Sequence, residues 1–223
     1  MFIFLGLFIL SWMVYTVFYF RLKKELVFLL KMMTSLLLFL FAFLAVFESR
    51  NSDYSRFIIV GLGMGILGDL FLGLQRLDRK RKHLHLALGI ASFSLGHIFY
   101  SFAFQRYAGL PFYAYLPLAV IILLLSLVFI RKQKLNFGKA KKFSYAYLFI
   151  SSVFLTFAFG TFYSGINPVS IFVAFGAVSF AASDFLLSFL YFQSVRRYRI
   201  LKYANIILYY LGQVLLSATV LLI

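Results

Sequence analysis

Segments of about twenty mostly apolar residues recur along the whole chain, and charged residues lie almost entirely between them. Crossing a bilayer takes about 20 apolar residues in a helix, because a helix satisfies its own backbone hydrogen bonds in lipid. The sequence therefore predicts an all-α, polytopic integral membrane protein in which residues 1–223 form one transmembrane domain. The eight predicted transmembrane helices are Phe2–Phe20, Leu26–Val46, Phe57–Leu74, Leu84–Phe104, Phe112–Ile130, Phe143–Phe162, Pro168–Tyr191 and Tyr203–Ile223.

Composition excludes several classes of protein. Hydrophobic residues make up 64% of the chain and the mean hydropathy is +0.98, which is more apolar surface than a soluble domain of this size can bury. Cysteine is absent, so a disulfide framework, a thiolate metal site and a cysteine nucleophile are excluded. Three scattered histidines do not suggest the converging ligands of a metal centre. We expect no metal and no cofactor.

Basic residues predict the orientation in the membrane. The first, third, fifth and seventh loops carry 18 of the 22 Lys and Arg residues, whereas the even-numbered loops carry three. Positively charged loops face the cytoplasm, so both termini are expected on the non-cytoplasmic side, in the inner membrane if the source is bacterial. Basic loops that hold anionic lipid headgroups explain the net charge of +16, and nucleic acid is not an expected partner.

Two of the six acidic residues, Asp69 and Asp184, lie inside predicted helices. An ionisable group at membrane depth costs several kcal/mol unless it is paired or hydrated, so each is a functional candidate. The alternative is a structural aspartate that links two helices. Counted back from the predicted cytoplasmic helix ends at a rise of about 1.5 Å per residue, the two carboxyl groups lie about 8 and 10 Å deep. They are expected to share one layer.

The surroundings of the two aspartates repeat. "GDLFLGL" from Gly68 resembles "SDFLLSF" from Ser183 at an offset of 115 residues, and "LGH" from Leu95 resembles "LGQ" from Leu211 at an offset of 116. Two matches at nearly the same offset indicate a duplicated four-helix unit, with halves 1–110 and 111–223. Because each unit has an even number of helices, the two copies would run parallel.

Four polar residues are supporting candidates. Lys31 lies at the depth of the aspartates and is either their cationic neighbour or a lysine that snorkels to the surface. His97 is expected about 10 Å deeper than the aspartates, as an interhelix hydrogen-bonding residue or a proton carrier. Tyr209 and Gln213 belong to a polar line on the eighth helix that either walls a wet cavity or links helices.

Glycines share a face with Asp69. Gly61, Gly65 and Gly73 are spaced from it by multiples of four residues, which predicts a close helix contact. We also expect this glycine-lined face to accommodate a single lipid tail more readily than two.

At these residues the chain resembles the YhhN-like lysoplasmalogenase family of integral membrane proteins. The resemblance rests on "GDLFL" and "SDFLL" near the ends of the third and seventh helices, "LGHIFY" in the fourth and "YYLGQ" in the eighth. It covers nearly the whole chain. Family members usually carry Lys-Pro near the start of the second helix; here Lys31 matches and Met32 replaces the proline.

The resemblance implies hydrolysis of the vinyl ether bond of lysoplasmalogens, giving a fatty aldehyde and a glycerophospho-ethanolamine or -choline. This chemistry needs an acid to protonate carbon and an anion to stabilise the oxocarbenium ion and activate water, a task that paired carboxyl groups perform in glycosidases. Asp69 and Asp184 are the predicted catalytic pair, with the division of roles left open.

The predicted partner is a lysophospholipid in the membrane. Its headgroup is expected among basic residues of the third loop, Arg76, Arg79 and Lys80. The alternative function is a transporter, in which a duplicated helical bundle with carboxylates at membrane depth carries protons, a small solute or a lipid.

Overall fold

A computed structural model describes residues 1–193 and 197–223. Within these ranges it contains eight α-helices, which confirms the predicted fold class. Their bounds are α1 Phe2–Phe18, α2 Lys24–Ala45, α3 Ser52–Leu77, α4 Lys82–Ala108, α5 Leu116–Lys132, α6 Lys141–Gly160, α7 Pro168–Phe192 and α8 Tyr198–Ala218. Seven helical segments are long and apolar enough to cross a membrane, α5 together with the short 3-10 helix Phe112–Tyr115 that precedes it, whereas α1, with 17 residues, is shorter. The chain is an integral membrane protein.

Several helices are longer than predicted because polar residues form their first or last turns. α3 begins at Ser52 rather than Phe57, since the side chain of Asn51 accepts a hydrogen bond from the backbone N–H of Tyr54 at 3.1 Å and caps the helix. α8 begins at Tyr198 rather than Tyr203. Arg196, one of the basic loop residues counted in the sequence, lies outside the described residues.

The bundle is built from two tight helix pairs, α3 with α4 and α7 with α8. Each pair meets at glycines: a Cβ added to Gly96 would lie 3.1 Å from the carbonyl oxygen of Gly61, and one added to Gly212 would lie 2.8 Å from that of Gly176. Gly176 follows Gly61 by 115 residues and Gly212 follows Gly96 by 116. These are the offsets of the sequence echo, so the helix contacts are in accord with the duplication, which stays a prediction.

The remaining helices close the bundle around these pairs. α8 contacts α1, α2 and α3 in addition to α7, and α6 joins α4 to α7. α5 is peripheral: it packs on α6 and reaches α7 through Phe129, whose ring centre lies 4.5 Å from that of Phe185. Contacts between helix ends place the described parts of the odd-numbered loops at one end of the bundle, which we term the basic end: Arg76 bonds Tyr19, Phe20 packs on Tyr198, and Gln193 bonds the backbone of Gln133.

Candidate active site

Asp69 is fully buried and is surrounded by donors from two other helices. The ammonium group of Lys31 on α2 lies 2.7 Å from its Oδ1. Ser35, one helical turn after Lys31, donates a hydrogen bond to Oδ2 at 2.5 Å, and Tyr209 on α8 donates to the same oxygen at 2.8 Å. Both oxygens of the Asp69 carboxyl group are therefore engaged by donors from neighbouring helices, and one of these donors is a cation.

A second layer of hydrogen bonds holds these donors in place. Ser35 also bonds the hydroxyl of Tyr210 at 3.0 Å, and the amide of Gln213 donates to the hydroxyl of Tyr209 at 3.3 Å. Tyr100 on α4 donates to the amide oxygen of Gln213 at 2.8 Å. Gln213 therefore positions the hydroxyl of Tyr209, which in turn bonds Asp69. The polar line on α8 links helices and also borders the site.

Asp184 has a different set of neighbours. Its Oδ2 accepts a hydrogen bond from the hydroxyl of Tyr147 on α6, and Nε2 of His97 on α4 lies 3.8 Å from the same oxygen. Within residues 1–193 and 197–223, no lysine or arginine forms an ion pair with Asp184. The two aspartates therefore differ in the charge of their partners.

His97 lies closer to Asp184 than predicted. The sequence placed it about 10 Å deeper than both carboxyl groups, but its ring lies beside Asp184. Side chains tilt toward the N-terminus of their helix, and α4 and α7 run in opposite directions, so the two side chains tilt toward each other. Among the residues that the structure describes, neither ring nitrogen of His97 has a hydrogen-bond partner, and the ring stacks on that of Phe154 with the ring centres 4.3 Å apart. Of the two roles expected of His97, the interhelix hydrogen bond is thus not observed, and the role of proton carrier stays a prediction.

The two centres occupy corresponding positions in the two halves of the chain. Asp184 follows Asp69 by 115 residues, and Tyr147, its hydroxyl donor, follows Lys31 by 116. Helix α2 thus supplies a partner for the aspartate on α3, and α6 supplies a partner for the aspartate on α7. That partner is a cation in the first half and a neutral phenol in the second. Among the residues that the structure describes, Asp69 is therefore paired with a lysine, whereas no lysine or arginine forms an ion pair with Asp184.

Both carboxyl groups face a cavity that opens toward the basic end, which we term the polar cavity. Asp69 and Asp184 each lie eight residues from the end of their helix, about 12 Å in depth, which is slightly deeper than predicted. Four cationic side chains line the same cavity: Lys24, Lys31, Arg76 and Lys202.

Asp184 also borders a second cavity, lined mainly by apolar side chains of α4, α5, α6 and α7, which we term the apolar cavity. On α6 its lining continues from Tyr147, the hydrogen-bond donor to Asp184, to Phe159, about 18 Å farther from the basic end. The apolar core of a bilayer is about 30 Å thick, so one leaflet takes about 15 Å. This cavity is long enough for one lipid tail.

The structure separates the residues predicted to face a lipid headgroup and moves the space predicted for a lipid tail. Of the residues expected to face a headgroup, Arg76 lines the polar cavity, whereas Arg79 and Lys80 lie in the exposed loop outside its lining. The glycine-lined face leaves no room for a tail, because the rings of Tyr100 and Phe28 occupy the space beside Gly61 and Gly73. The apolar cavity lies instead between α4, α5, α6 and α7.

Sequence reasoning missed Ser35, Tyr147 and Lys202. Ser35 was open to prediction, because it lies four residues after Lys31 and therefore on the same face of α2. Lys202 was assigned to a loop because α8 was expected to begin at Tyr203. Nothing in the sequence alone distinguishes Tyr147 from the other 14 tyrosines.

The fold and the site define a polytopic α-helical membrane protein with two carboxyl groups inside the bundle: Asp69 is buried and faces the polar cavity, and Asp184 is partly buried where the polar and the apolar cavity meet. The profile of the YhhN family matches residues 26–220, and the chain belongs to that family. Searches of curated proteins and of solved structures gave no significant match.

Proposed function

We propose that the protein is a membrane-embedded hydrolase that cleaves the vinyl ether bond of lysoplasmalogens, releasing a fatty aldehyde and a glycerophospho-alcohol. The observation that carries this proposal is the position of Asp184, which borders both the polar and the apolar cavity. A single-chain ether lipid has its reactive bond at the corresponding point, between a polar headgroup and an alkyl chain. Membership of the YhhN family is consistent with this activity.

The two cavities suggest how the lipid lies. Its glycerophosphate occupies the polar cavity near Arg76 and Lys202 at the basic end, and its chain extends along α6 toward Phe159. A lipid in the membrane leaflet at the basic end already has its headgroup at that end and its chain directed toward the centre of the bilayer. The vinyl ether then lies at the level of the aspartates. Binding therefore requires no inversion of the lipid.

The different partners of the two aspartates suggest their roles. Asp184, without a lysine or arginine partner, gives its proton to the second carbon of the alkenyl chain, and the electron pair of the double bond forms the new C–H bond. The resulting oxocarbenium ion is stabilised by the carboxylate of Asp69. Water adds to the first carbon of the chain and loses a proton, which restores the acid. The hemiacetal collapses to aldehyde and alcohol.

The lining of the apolar cavity also bears on the alternative function, that of a transporter. A proton or small-solute transporter needs polar groups along its path, whereas the lining of the apolar cavity beyond Tyr147 is mainly leucine, phenylalanine, alanine and valine with a few serines. This favours an occupant with an alkyl chain. Chemical conversion then separates an enzyme from a lipid carrier, because only an enzyme releases aldehyde.

The test compares three lysolipids that share one headgroup and one chain length and differ in their linkage. Purified protein in detergent is incubated with vinyl ether, saturated alkyl ether and ester substrates, and aldehyde, alcohol and fatty acid are quantified. We expect aldehyde from the vinyl ether alone, because a saturated ether cannot form the stabilised cation by protonation at carbon. Fatty acid release from the ester at a comparable rate would refute the mechanism.

Substitutions test the two aspartates separately. Asp69→Asn and Asp184→Asn each keep the size of the side chain and are expected to remove nearly all hydrolysis while the protein stays folded. Asp53→Asn is the matched control, because Asp53 has a side chain that is 62% exposed at the opposite end of α3. Near-wild-type turnover in either site variant would exclude that aspartate from the reaction.

A further inference from the structure

We propose that His97 is a positioning residue that acts through Asp184: its Nε2–H donates a hydrogen bond to the carboxylate that remains after Asp184 has given its proton to the substrate. His97 keeps its own proton throughout, so this role differs from that of a proton carrier. It rests on the proposed function in taking Asp184 as the acid.

The imidazole of His97 is fully buried and has unused capacity for hydrogen bonds. Its exposed fraction is 0%, and neither ring nitrogen has a hydrogen-bond partner in the described part of the chain. A buried polar group without a partner lowers stability, and native structures contain few of them. Oδ2 of Asp184 lies 3.8 Å from Nε2, so a movement of about 1 Å would bring the two atoms to hydrogen-bond distance.

Three aromatic rings hold the imidazole of His97 in place. It stacks on Phe154 with an angle of 5° between the ring planes, and it meets Phe180 edge to face with the ring centres 4.8 Å apart. The ring centre of Tyr147 lies 5.3 Å away. The side chain of Asp184, by contrast, is 13% exposed and borders both cavities. Asp184 is therefore the group that moves when the gap closes.

A second donor to Asp184 matters most once the proton has left its carboxyl group. Tyr147 donates one hydrogen bond to Asp184, and no lysine or arginine among the described residues forms an ion pair with it. A carboxylate at membrane depth is costly unless it is paired or hydrated. With its proton on Nε2, His97 supplies a further hydrogen bond, which is stronger to a charged acceptor than to a neutral one. The bond therefore stabilises the charge that develops on Asp184 as carbon is protonated.

His97 lies behind Asp184 with respect to the lipid. Of the described residues that line the polar and the apolar cavity, Asp184 is one and His97 is not. The lipid therefore contacts Asp184 without contacting the imidazole. An interaction that strengthens only in the transition state raises kcat and leaves substrate binding unchanged. Substitution of His97 is consequently expected to change kcat more than KM.

The kinetic test compares two substitutions of His97. His97→Phe keeps a flat ring and removes both nitrogens, and we expect kcat for the vinyl ether lysolipid to fall about tenfold or more, as for loss of a hydrogen bond to a charged group. KM should change by less than about twofold. His97→Gln retains an N–H donor and is expected to keep kcat within about threefold of wild type. The matched control is His83→Phe, the same substitution at an exposed position in the first turn of α4.

Equilibrium unfolding separates this role from a structural one. Within the described ranges His97 has no hydrogen bond to lose, so an apolar ring at this position should leave the midpoint of unfolding unchanged or raise it. A clear loss of stability in His97→Phe would show that the imidazole serves the fold and would overturn the proposal. Wild-type kcat in His97→Phe would overturn it as well.

Infrared spectroscopy tests the contact without any reaction. In alkaline buffer the carboxylate band of Asp184 is identified as the band that Asp184→Asn removes. We expect His97→Phe to shift this band, because the carboxylate loses a donor, and His83→Phe to leave it in place. An unshifted band would refute the hydrogen bond. If His97→Phe does not fold, the nitrogen resonances of His97 in wild-type protein labelled with 15N-histidine still decide, since they should move when Asp184 ionises and stay in place in Asp184→Asn.

The role of His97 and the proposed function fail in different ways. Absence of aldehyde release together with a shifted carboxylate band would refute the hydrolase and support the hydrogen bond between His97 and ionised Asp184. Aldehyde release by the wild-type protein, with an unshifted band and unchanged kcat in His97→Phe, would support the hydrolase and refute the role of His97.

Discussion

The ion pair between Lys31 and Asp69 allows a quantitative test of the site. Lys31→Met removes the cation 2.7 Å from Oδ1 and leaves a carboxylate whose side chain is 1% exposed without its charge partner. Breaking a buried pair in this way costs about 3–5 kcal/mol. The side chain of Lys31 is 19% exposed, and partial solvation of the lysine places the expected loss near the lower end, at about 3 kcal/mol.

The double variant Lys31→Met/Asp69→Asn removes both charges, and the remaining amide still bonds Ser35 and Tyr209. We expect its free energy of unfolding to recover by about 2 kcal/mol relative to Lys31→Met, a coupling typical of residues in direct contact. The assay is equilibrium unfolding in mixed micelles, monitored by circular dichroism. A double variant no more stable than Lys31→Met would refute the interpretation of this contact as an ion pair.

A matched control is available on α3. Arg56 and Asp53 form an exposed pair at 4.0 Å, with side chains 73% and 62% exposed. Exposed pairs of this kind contribute about 0–1 kcal/mol. Arg56→Met should therefore change the free energy of unfolding by less than about 1 kcal/mol.

Three further predictions concern packing, catalysis and topology. Gly61→Ala should destabilise the protein by about 1–3 kcal/mol, because the added Cβ would lie 2.6 Å from the ring of Tyr100. Gly63→Ala is the control and should be close to neutral in the same unfolding assay, because its Cβ would lie 3.7 Å from the ring of Phe39. Tyr147→Phe should lower turnover of the vinyl ether about tenfold or more by removing the donor to Asp184, and unchanged turnover would contradict a role for this hydroxyl. Single cysteines at Asn136 and Ser52, introduced into a chain that has none, should be labelled from the cytoplasmic and the opposite side respectively, and the reverse pattern would overturn the predicted orientation.

The sequence predicts the helices well and the site in part. Long apolar segments are sufficient to count eight helices, but capping residues such as Asn51 lie outside the hydropathy signal, so helix ends differ by up to five residues. Asp69 and Asp184 stand out because acidic residues are rare inside such helices. Their neighbours depend on how helices pack, which explains why the position of His97 and the contact of Tyr147 with Asp184 were not predicted.

Lys31 and Tyr147 show what an internal comparison of the two halves adds. Their correspondence at an offset of 116 residues becomes visible only after the structure shows that each contacts an aspartate. A search for repeats in the sequence alone matches similar residues. It therefore overlooks corresponding positions at which the residues differ. At this site Lys31 and Tyr147 differ in charge, and this is the chemical difference between the surroundings of the two carboxyl groups.

The peripheral position of α5 has a consequence for how kinetics are measured. Some residues that line the apolar cavity also face the surrounding lipid, since Val178 is 45% exposed and Phe159 is 38% exposed. Alkyl chains of the host membrane or detergent therefore have access to the cavity, and substrate binding becomes an exchange of one chain for another. Apparent affinity then follows the mole fraction of substrate in the micelle rather than its bulk concentration, and detergents of different chain length act as competitors of different strength.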